Sequence, residues 1–311
     1  MNMYEKRIRL RQLLADPQCT PLMGAYDLLS ARVIEQTGFP VLYTGSLVTG
    51  ASAFGLPDVG LVQLHDLLGL AREIAKETSI PLVCDADSGW YHAANIWRTV
   101  HEFESAGVSA IHIEDTQFGK HTTHQAVLQP RDVMCERLRA CCDARKDPNF
   151  MIIARTDALY LNDDMEDAVD RINAYLAAGA DAGFIVFKGS IKSLKDFRAR
   201  IQGPLVTTSV DFKDSLAEET AAGANMSVYW PLTIFAAFKA VKHVCESFWR
   251  DQDATKLKEY CFDEGALNSL MPYRRFYDGV ARYHVEDSFA PARQTAARQA
   301  GTEENGANRK G

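Results

Sequence analysis

The feature that most restricts how this chain can fold is a junction that recurs along it. TGFPVLYTGS (37–46), AGVSAIHIED (106–115), AGADAGFIVF (178–187) and AGANMSVYWP (222–231) each place a glycine between a helical pattern and a short apolar run. Glycine just past a helix accepts the left-handed conformation that stops it, and the apolar run that follows reads as a buried strand. IPLVCDAD (80–87), FMIIARTD (150–157), PLVTTS (204–209) and the weaker MGAY (23–26) bring the set to eight strands. Amphipathic stretches such as LHDLLGLAREIAKE (64–77), NIWRTVHEFESA (95–106) and MEDAVDRINAYLAA (165–178) separate most of them.

Buried strands alternating with helices pair in parallel through βαβ units. Eight units in roughly 250 residues predict a closed (β/α)8 barrel of the TIM type. The open doubly wound sheet is the alternative, and no GxGxxG follows any strand to favour it. Beyond residue 240, KAVKHVCESFW, DATKLKEYC and YRRFYDGVARY add more helix than a barrel requires. The chain therefore reads as a single barrel domain over 1–285 with additional C-terminal helices. Residues 286–311, small, polar and punctuated by proline and glycine, read as a disordered tail.

The balance of 34 basic against 41 acidic side chains provides no general electrostatic reason to expect nucleic acid or an anionic membrane as partner. No apolar run approaches the roughly 18 residues of a membrane span, and MNMYEKRIRLRQLL lacks the apolar region and cleavage site of a signal peptide. A cytoplasmic protein is expected. Its seven cysteines form no CxxC pair or Cys/His quartet, as expected of reduced thiols acting as small hydrophobes.

In a barrel of this kind the chemistry sits at the C-terminal ends of the strands. Those ends read Thr44-Gly45-Ser46, Asp85-Ala86-Asp87, Glu114-Asp115, Arg155-Thr156-Asp157 and Thr207-Thr208-Ser209, with Asp58 in the loop after strand two. Asp85, Asp87 and Glu114 converging on one mouth would repel one another unless a cation or shared protons compensated. Hard oxygen donors suit Mg²⁺ or Mn²⁺; helix capping or pairing with Arg and Lys is the alternative for these acids. Arg155, ending an apolar strand, either grips a substrate carboxylate or phosphonate bidentately or pairs with Asp157 or Glu114. FGKHTTHQAVLQPRD (118–132) is a polar loop of lid length in which Lys120, Thr122 and His124 supply a cation, a hydroxyl and an imidazole.

GAYDLLSARVIEQTGFPVLYTGS, GLPDVGL, PLVCDADSG, RTVHEFESAGVSAIHIED, IIARTDA and YLAAGADA together resemble the isocitrate lyase/phosphoenolpyruvate mutase superfamily. The likeness runs from Gly24 to Ala182 and more loosely through 226–241. The resemblance implies a (β/α)8 barrel whose terminal helix is exchanged between subunits of a homodimer or homotetramer. It implies Mg²⁺ near Asp85, with Asp87, Glu114 and Asp58 helping through waters. The carboxylate of a small 2-oxo or 2-hydroxy acid would meet the metal, Tyr43, Thr44, Gly45 and Ser46, Arg155 and Thr208.

The departures bear on the reaction. Isocitrate- and methylisocitrate-type lyases carry K-[KR]-C-G-H in the lid, where the cysteine is an acid; this chain reads Lys120-His121-Thr122-Thr123-His124. A threonine hydroxyl is a far weaker acid than a thiol. The glutamate that those lyases place at the end of strand six falls at Val186, their G-[YF]-G-N at Gly89-Trp90-Tyr91-His92, and their N-M-T at Thr208-Ser209-Val210. Trp90, Tyr91, Phe187 and Trp230 near strand ends suggest either a more apolar pocket or ordinary barrel packing. The expected function is that of a Mg²⁺-dependent lyase. It would cleave a C–C bond of a small 2-oxo or 2-hydroxy dicarboxylic acid, resembling oxaloacetate, an alkylmalate or methylisocitrate, through an enolate-like intermediate. P–C chemistry on a phosphonopyruvate-like substrate is the alternative, and a barrel retained only for ligand binding is the non-enzymatic one.

Overall fold

The computed structural model describes residues 1–90, 93–117 and 126–283. These fall into two compact units, one spanning Met1–Tyr260 and the other beginning at Cys261. Eight strands close the barrel of the first unit: β1 (Thr20–Gly24), β2 (Val41–Thr44), β3 (Leu82–Asp85), β4 (Ala110–Glu114), β5 (Met151–Thr156), β6 (Ala182–Phe187), β7 (Leu205–Ser209) and β8 (Met226–Tyr229). Each pairs in parallel with the next, and β8 returns to β1 with Thr20 opposite Met226.

The recurring junctions work as their composition predicts. Asp27 accepts from the Ser30 N–H to start the helix Leu28–Thr37, and Gly38, at φ 96°, ends it before β2. The first strand departs from its expected bounds: it begins at Thr20 rather than at Met23. Pro21 hides the strand pattern in the sequence, because proline cannot supply a ladder N–H. Gly24 ends the strand against the backbone of Trp230, where a Cβ would stand 2.2 Å from the carbonyl oxygen.

Because side chains alternate along a strand, two apolar layers form. Val41, Tyr43, Val83, Ile153, Phe184 and Val186 fill the barrel interior. Leu42, Leu82, Cys84, Ile111, Ile152 and Ile185 face outward against the helices. The N-terminal helix Met3–Leu14 adds Leu10, Leu13 and Leu14 to the inner layer. Its buried Lys6 donates to the carbonyls of Ala75 and Thr78 at 2.6 and 2.5 Å, and Arg7 pairs with Asp147 at 2.9 Å. A buried charge is tolerable only with such partners.

The described cysteines are all free thiols. Burial pushes Cys84 well above the ordinary thiol range, so it remains a neutral hydrophobe. The added helices are present as Leu232–Asp251 in the first unit, and as Glu264–Leu270 and Tyr273–Tyr283 in the second. Among the described residues no helix is long and apolar enough to cross a membrane. The expected tail, 286–311, lies outside the described residues.

Candidate active site

Strand parity decides which polar residues reach the barrel mouth. Asp85 ends β3, Glu114 ends β4, Arg155 is the penultimate residue of β5, and all three continue the inward-facing set. Asp87 follows two residues after Asp85 through a sharp turn, its own φ being 45°. Few non-glycine residues adopt that conformation without support. Here the Asp87 N–H donates to Asp85 Oδ1 at 2.9 Å, and its carbonyl accepts from the Glu114 N–H at 2.8 Å. The loop is thereby fastened to β4, and the three carboxylates are all buried.

Ligand oxygens of Asp85, Asp87 and Glu114 lie within 4.8 Å of one another. Ser46 ties this cluster together: its hydroxyl lies 3.1 Å from Asp85 Oδ2, 3.0 Å from Asp87 Oδ1 and 3.4 Å from Asp58 Oδ1. One hydroxyl has one proton, so it can donate to only one of these acids at a time. Arg155 donates through Nε and Nη2 to Asp157 at 2.7 and 2.9 Å, and its Nη1 lies 3.1 Å from Glu114. Burial alone would depress this guanidinium, but Asp157 and Glu114 outweigh it and hold Arg155 well above its ordinary range. Asp157 is itself held by its N–H, which donates to the buried Asp115 at 3.1 Å.

Among the described residues the local charge balance is one guanidinium against the carboxylates of Asp58, Asp85, Asp87, Glu114 and Asp157. Such a site repels an anionic substrate unless a cation is added. Three buried carboxylates within reach of one another form a hard-oxygen donor set, the kind that suits a small divalent ion retaining some water. The residues therefore fit a magnesium-type metal.

A cavity of about 320 Å³ opens beside this cluster. Its polar side is formed by Tyr43, Gly45, Asp58, Asp85, Arg155 and Thr208. Gly45 has a steric reason to be glycine, since a Cβ would stand 2.9 Å from the Tyr43 hydroxyl and 3.4 Å from Asp85 Oδ2. Thr208 lines the cavity while donating to the Val228 carbonyl at 2.7 Å.

Other expected site residues sit differently. Thr44 lies between Tyr43 and Gly45, so its side chain takes the opposite face of β2; it is fully buried and absent from the cavity lining. Of the four aromatics expected near the pocket, Trp230 lines it. Phe187 packs in the outer layer, and Trp90 stacks on Phe103 with its indole N–H toward the Val62 carbonyl at 3.3 Å. Tyr91 lies outside the described residues, as do the lid residues Lys120, Thr122 and His124.

Two participants were not anticipated. His112 is buried in the inner layer, with Nε2 2.9 Å from the Tyr43 hydroxyl and Nδ1 3.5 Å from Asp85 Oδ1. Its signal was available in IHIE, where histidine has the same parity as Glu114. Tyr160, on the short helix Ala158–Asn162, forms part of the cavity wall; nothing in its local sequence marks it.

Comparison with known proteins follows the same pattern. The family profile described as phosphoenolpyruvate phosphomutase matches residues 10–249. The chain is 33% identical to a 2-methylisocitrate lyase of Shewanella oneidensis, over 90% of this chain and 98% of that one. It is 31% identical to the 2,3-dimethylmalate lyase of Eubacterium barkeri, over 92% and 98%, and 35% identical to an oxaloacetate decarboxylase of Chromohalobacter salexigens, over 82% and 88%. Among solved structures, phosphoenolpyruvate phosphomutase from Streptomyces platensis superposes with a TM-score of 0.84 at 32% identity, covering 89% of this chain and 99% of that one. Phosphonopyruvate hydrolase in complex with oxalate and Mg²⁺ superposes with a TM-score of 0.79 at 29% identity, covering 91% and 99%.

Proposed function

The chain belongs to the phosphoenolpyruvate phosphomutase family, and on that footing we propose that it is a Mg²⁺-dependent carbon–carbon lyase. Its substrate is a small 2-oxo or 2-hydroxy dicarboxylic acid, cleaved by way of an enolate-like anion. The observation that carries the reading is the buried trio Asp85, Asp87 and Glu114 beside a ligand-sized cavity. Relatives named 2-methylisocitrate lyase, 2,3-dimethylmalate lyase and oxaloacetate decarboxylase support the choice of bond.

In this mechanism Asp85, Asp87 and Glu114 would hold the metal, with Asp58 assisting from the cavity lining. When bound, the metal supplies Lewis-acid stabilisation of oxygen where negative charge develops. Ser46 orients the carboxylates by hydrogen bonding across them. Arg155 directs its remaining N–H groups at the substrate carboxylate while Asp157 fixes the plane of its guanidinium. Gly45 and Tyr43 shape the floor on which the acid group rests. Lys120, Thr122 and His124 are assigned to the lid, with Thr122 orienting the substrate rather than protonating it. The protein is further read as a cytoplasmic homodimer or homotetramer.

P–C chemistry is the second reading, favoured by the structural likeness to phosphoenolpyruvate phosphomutase and phosphonopyruvate hydrolase. A panel of oxaloacetate, alkylmalates, methylisocitrate and phosphonopyruvate with Mg²⁺, followed by release of pyruvate-type products, separates the two. Turnover of phosphonopyruvate alone overturns the lyase reading. Asp85→Ala should abolish turnover and the Mg²⁺-induced rise in melting temperature; retention of both would remove the metal assignment.

A further inference from the structure

The strand end that presents Arg155 is gripped from outside the barrel by one buried side chain. Asp115 directly follows Glu114, so its side chain takes the opposite face, toward the outer helices. It holds three consecutive residues of the neighbouring strand end. Its N–H donates to the Arg155 carbonyl at 3.1 Å, its Oδ2 accepts from the Thr156 hydroxyl at 2.7 Å, and its Oδ1 accepts from the Asp157 N–H at 3.1 Å. Asp157 in turn holds Nε and Nη2 of Arg155 with its two carboxylate oxygens. A route from Asp115 to the plane of the guanidinium therefore runs through Asp157.

Asp115 is itself aimed from the helix Met165–Ala177. Residues four apart on a helix share a face, and Asp167, Arg171 and Tyr175 follow that spacing. Asp167 accepts from Arg171 Nε at 2.7 Å, and Arg171 Nη1 lies 3.3 Å from both Asp115 Oδ2 and the Tyr175 hydroxyl. That hydroxyl donates to Asp115 Oδ2 at 2.8 Å. Arg171 Nη1 also lies 2.9 Å from the Gln129 carbonyl, while the Gln129 N–H donates to the Asp115 carbonyl at 2.8 Å. Burial raises the Asp115 carboxyl above the ordinary aspartate range, and the hydrogen bonds from Thr156, Asp157 and Tyr175 oppose that shift. A core carboxylate that needed only compensation could take its donors from any side. Here one oxygen takes Thr156 and the outer helix, and the other takes the Asp157 N–H.

We infer that Asp115, oriented by Tyr175 and Arg171, is a positioning residue for Arg155. It sets where Asp157 stands, and through Asp157 the plane in which the guanidinium meets the substrate acid. The inference rests on the reading of Arg155 as the group that grips that acid. Asparagine cannot take over the role. An amide has one oxygen and one NH2, so it can accept either from the Asp157 N–H or from Thr156, Tyr175 and Arg171. In both orientations it turns a donor toward donors. Phenylalanine at position 175 is milder, since it removes one hydroxyl and keeps the ring.

The test is calorimetric titration of the full-length protein with oxalate in saturating Mg²⁺. It compares the unaltered protein with Asp115→Asn, Tyr175→Phe, Arg155→Lys and the two double variants that include Arg155→Lys. Asp115→Asn should weaken oxalate binding roughly 10- to 100-fold, and Tyr175→Phe about 3- to 10-fold, as displaced hydrogen bonds do. In the Arg155→Lys background each should cost less than about threefold, because effects exerted through one group do not add. The Mg²⁺-induced rise in melting temperature should survive in Asp115→Asn, since Asp115 faces away from the metal trio. Full additivity, unchanged oxalate affinity or a lost Mg²⁺ response in Asp115→Asn overturns the inference. Should Asp115→Asn not fold, the same three outcomes in Tyr175→Phe decide it. Undiminished oxalate binding by Arg155→Lys instead defeats the reading of Arg155 as the partner of the acid. The inference is then decided by the crystal structure of whichever variant folds: a displaced Asp157–Arg155 pair upholds it, and an intact pair overturns it.

Discussion

Arg155 and Asp157 are joined by two parallel hydrogen bonds, 2.7 and 2.9 Å long, from Nε and Nη2 to the two carboxylate oxygens. The cation at the barrel mouth is thus held in one plane by a neighbour two residues away on the chain. Its third nitrogen faces Glu114 at 3.1 Å. This arrangement makes Arg155 both structural and functional, and substitutions should separate the two roles. Arg155→Gln leaves buried carboxylates without their partner and should cost about 3–5 kcal/mol of stability, the scale of a broken buried pair. Arg155→Lys keeps the charge but loses the fork, so it should retain most stability while kcat/KM falls roughly 10- to 100-fold. Urea unfolding alongside steady-state kinetics checks both; equal loss of stability in the two variants would refute the assignment.

Gly45 should tolerate no side chain. A methyl group there would crowd the Tyr43 hydroxyl and approach Asp85 Oδ2. The Tyr43 ring stacks parallel to the His112 ring at a centroid distance of 5.8 Å, so it has little room to retreat. Gly45→Ala is expected to lower kcat/KM by roughly 10- to 100-fold, as displacement of one positioned polar group does. Its stability loss should be about 1–3 kcal/mol, as for other overpacked interiors. Unchanged kinetics would show that the Tyr43 position is irrelevant to turnover.

Glu219 provides a pH-dependent measurement away from the site. It is 3% exposed on the helix Leu216–Ala222, and its Oε2 accepts from the Tyr229 hydroxyl at 2.8 Å. Burial raises its carboxyl above the ordinary glutamate range. The folded state therefore binds its proton more tightly than the unfolded state does. The stability contributed by that proton is fully present below the unfolded value of about 4.3 and is lost as pH rises through the elevated folded value. Glu219→Gln cannot ionise and keeps an acceptor for Tyr229. Its stability relative to the unaltered protein should improve as pH increases from 4 upward. Parallel unfolding free energies across that range would contradict the expectation.

Thr122 is assigned by proposal to the lid position where the resembling lyases carry an acidic cysteine. If it orients the substrate, Thr122→Ser should keep most activity and Thr122→Val should lose roughly 10- to 100-fold, the worth of one hydrogen bond of ~1.5–3 kcal/mol. Lys120→Ala and His124→Ala should cost more, because charged donors near developing negative charge contribute more than neutral ones. A fully active Thr122→Val enzyme would reduce the loop to a cover.

The helix Leu232–Asp251 leaves Phe235, Phe238, Val241 and Trp249 between about half and four-fifths exposed. An apolar strip of this size on one helix is the mark of a surface that is covered in the assembled protein. Sedimentation at micromolar concentration should report a dimer or tetramer, and Phe238→Asp combined with Val241→Asp should shift it toward monomer. A monomeric unaltered protein would end the proposal of an oligomer.

How much of this was legible beforehand follows from the range of the interactions concerned. The junctions ending in Gly38, Gly107, Gly179 and Gly223 act within a few residues, because a left-handed helix stop and an apolar run are local chemistry. Together with the apolar runs at 23–26, 80–87, 150–157 and 204–209 they indicated eight strands and a closed parallel barrel, with Asp85, Asp87, Glu114 and Arg155 at its mouth. Pro21 defeated the same reasoning for β1, where pairing with β8, some two hundred residues away, overrode a poor local pattern. Which of Tyr43, Thr44 and Gly45 would reach the cavity depended on strand parity, and that is defined only once the strands close into a ring. His112 became a neighbour of Tyr43, and Ser46 of three separate acids, through contacts that span 39 to 69 residues or cross a loop. The mixed polar and apolar lining of the cavity, from Tyr43 to Phe235, exists for the same reason. No segment contains it, and closing the barrel is what brings those strand ends to a common opening.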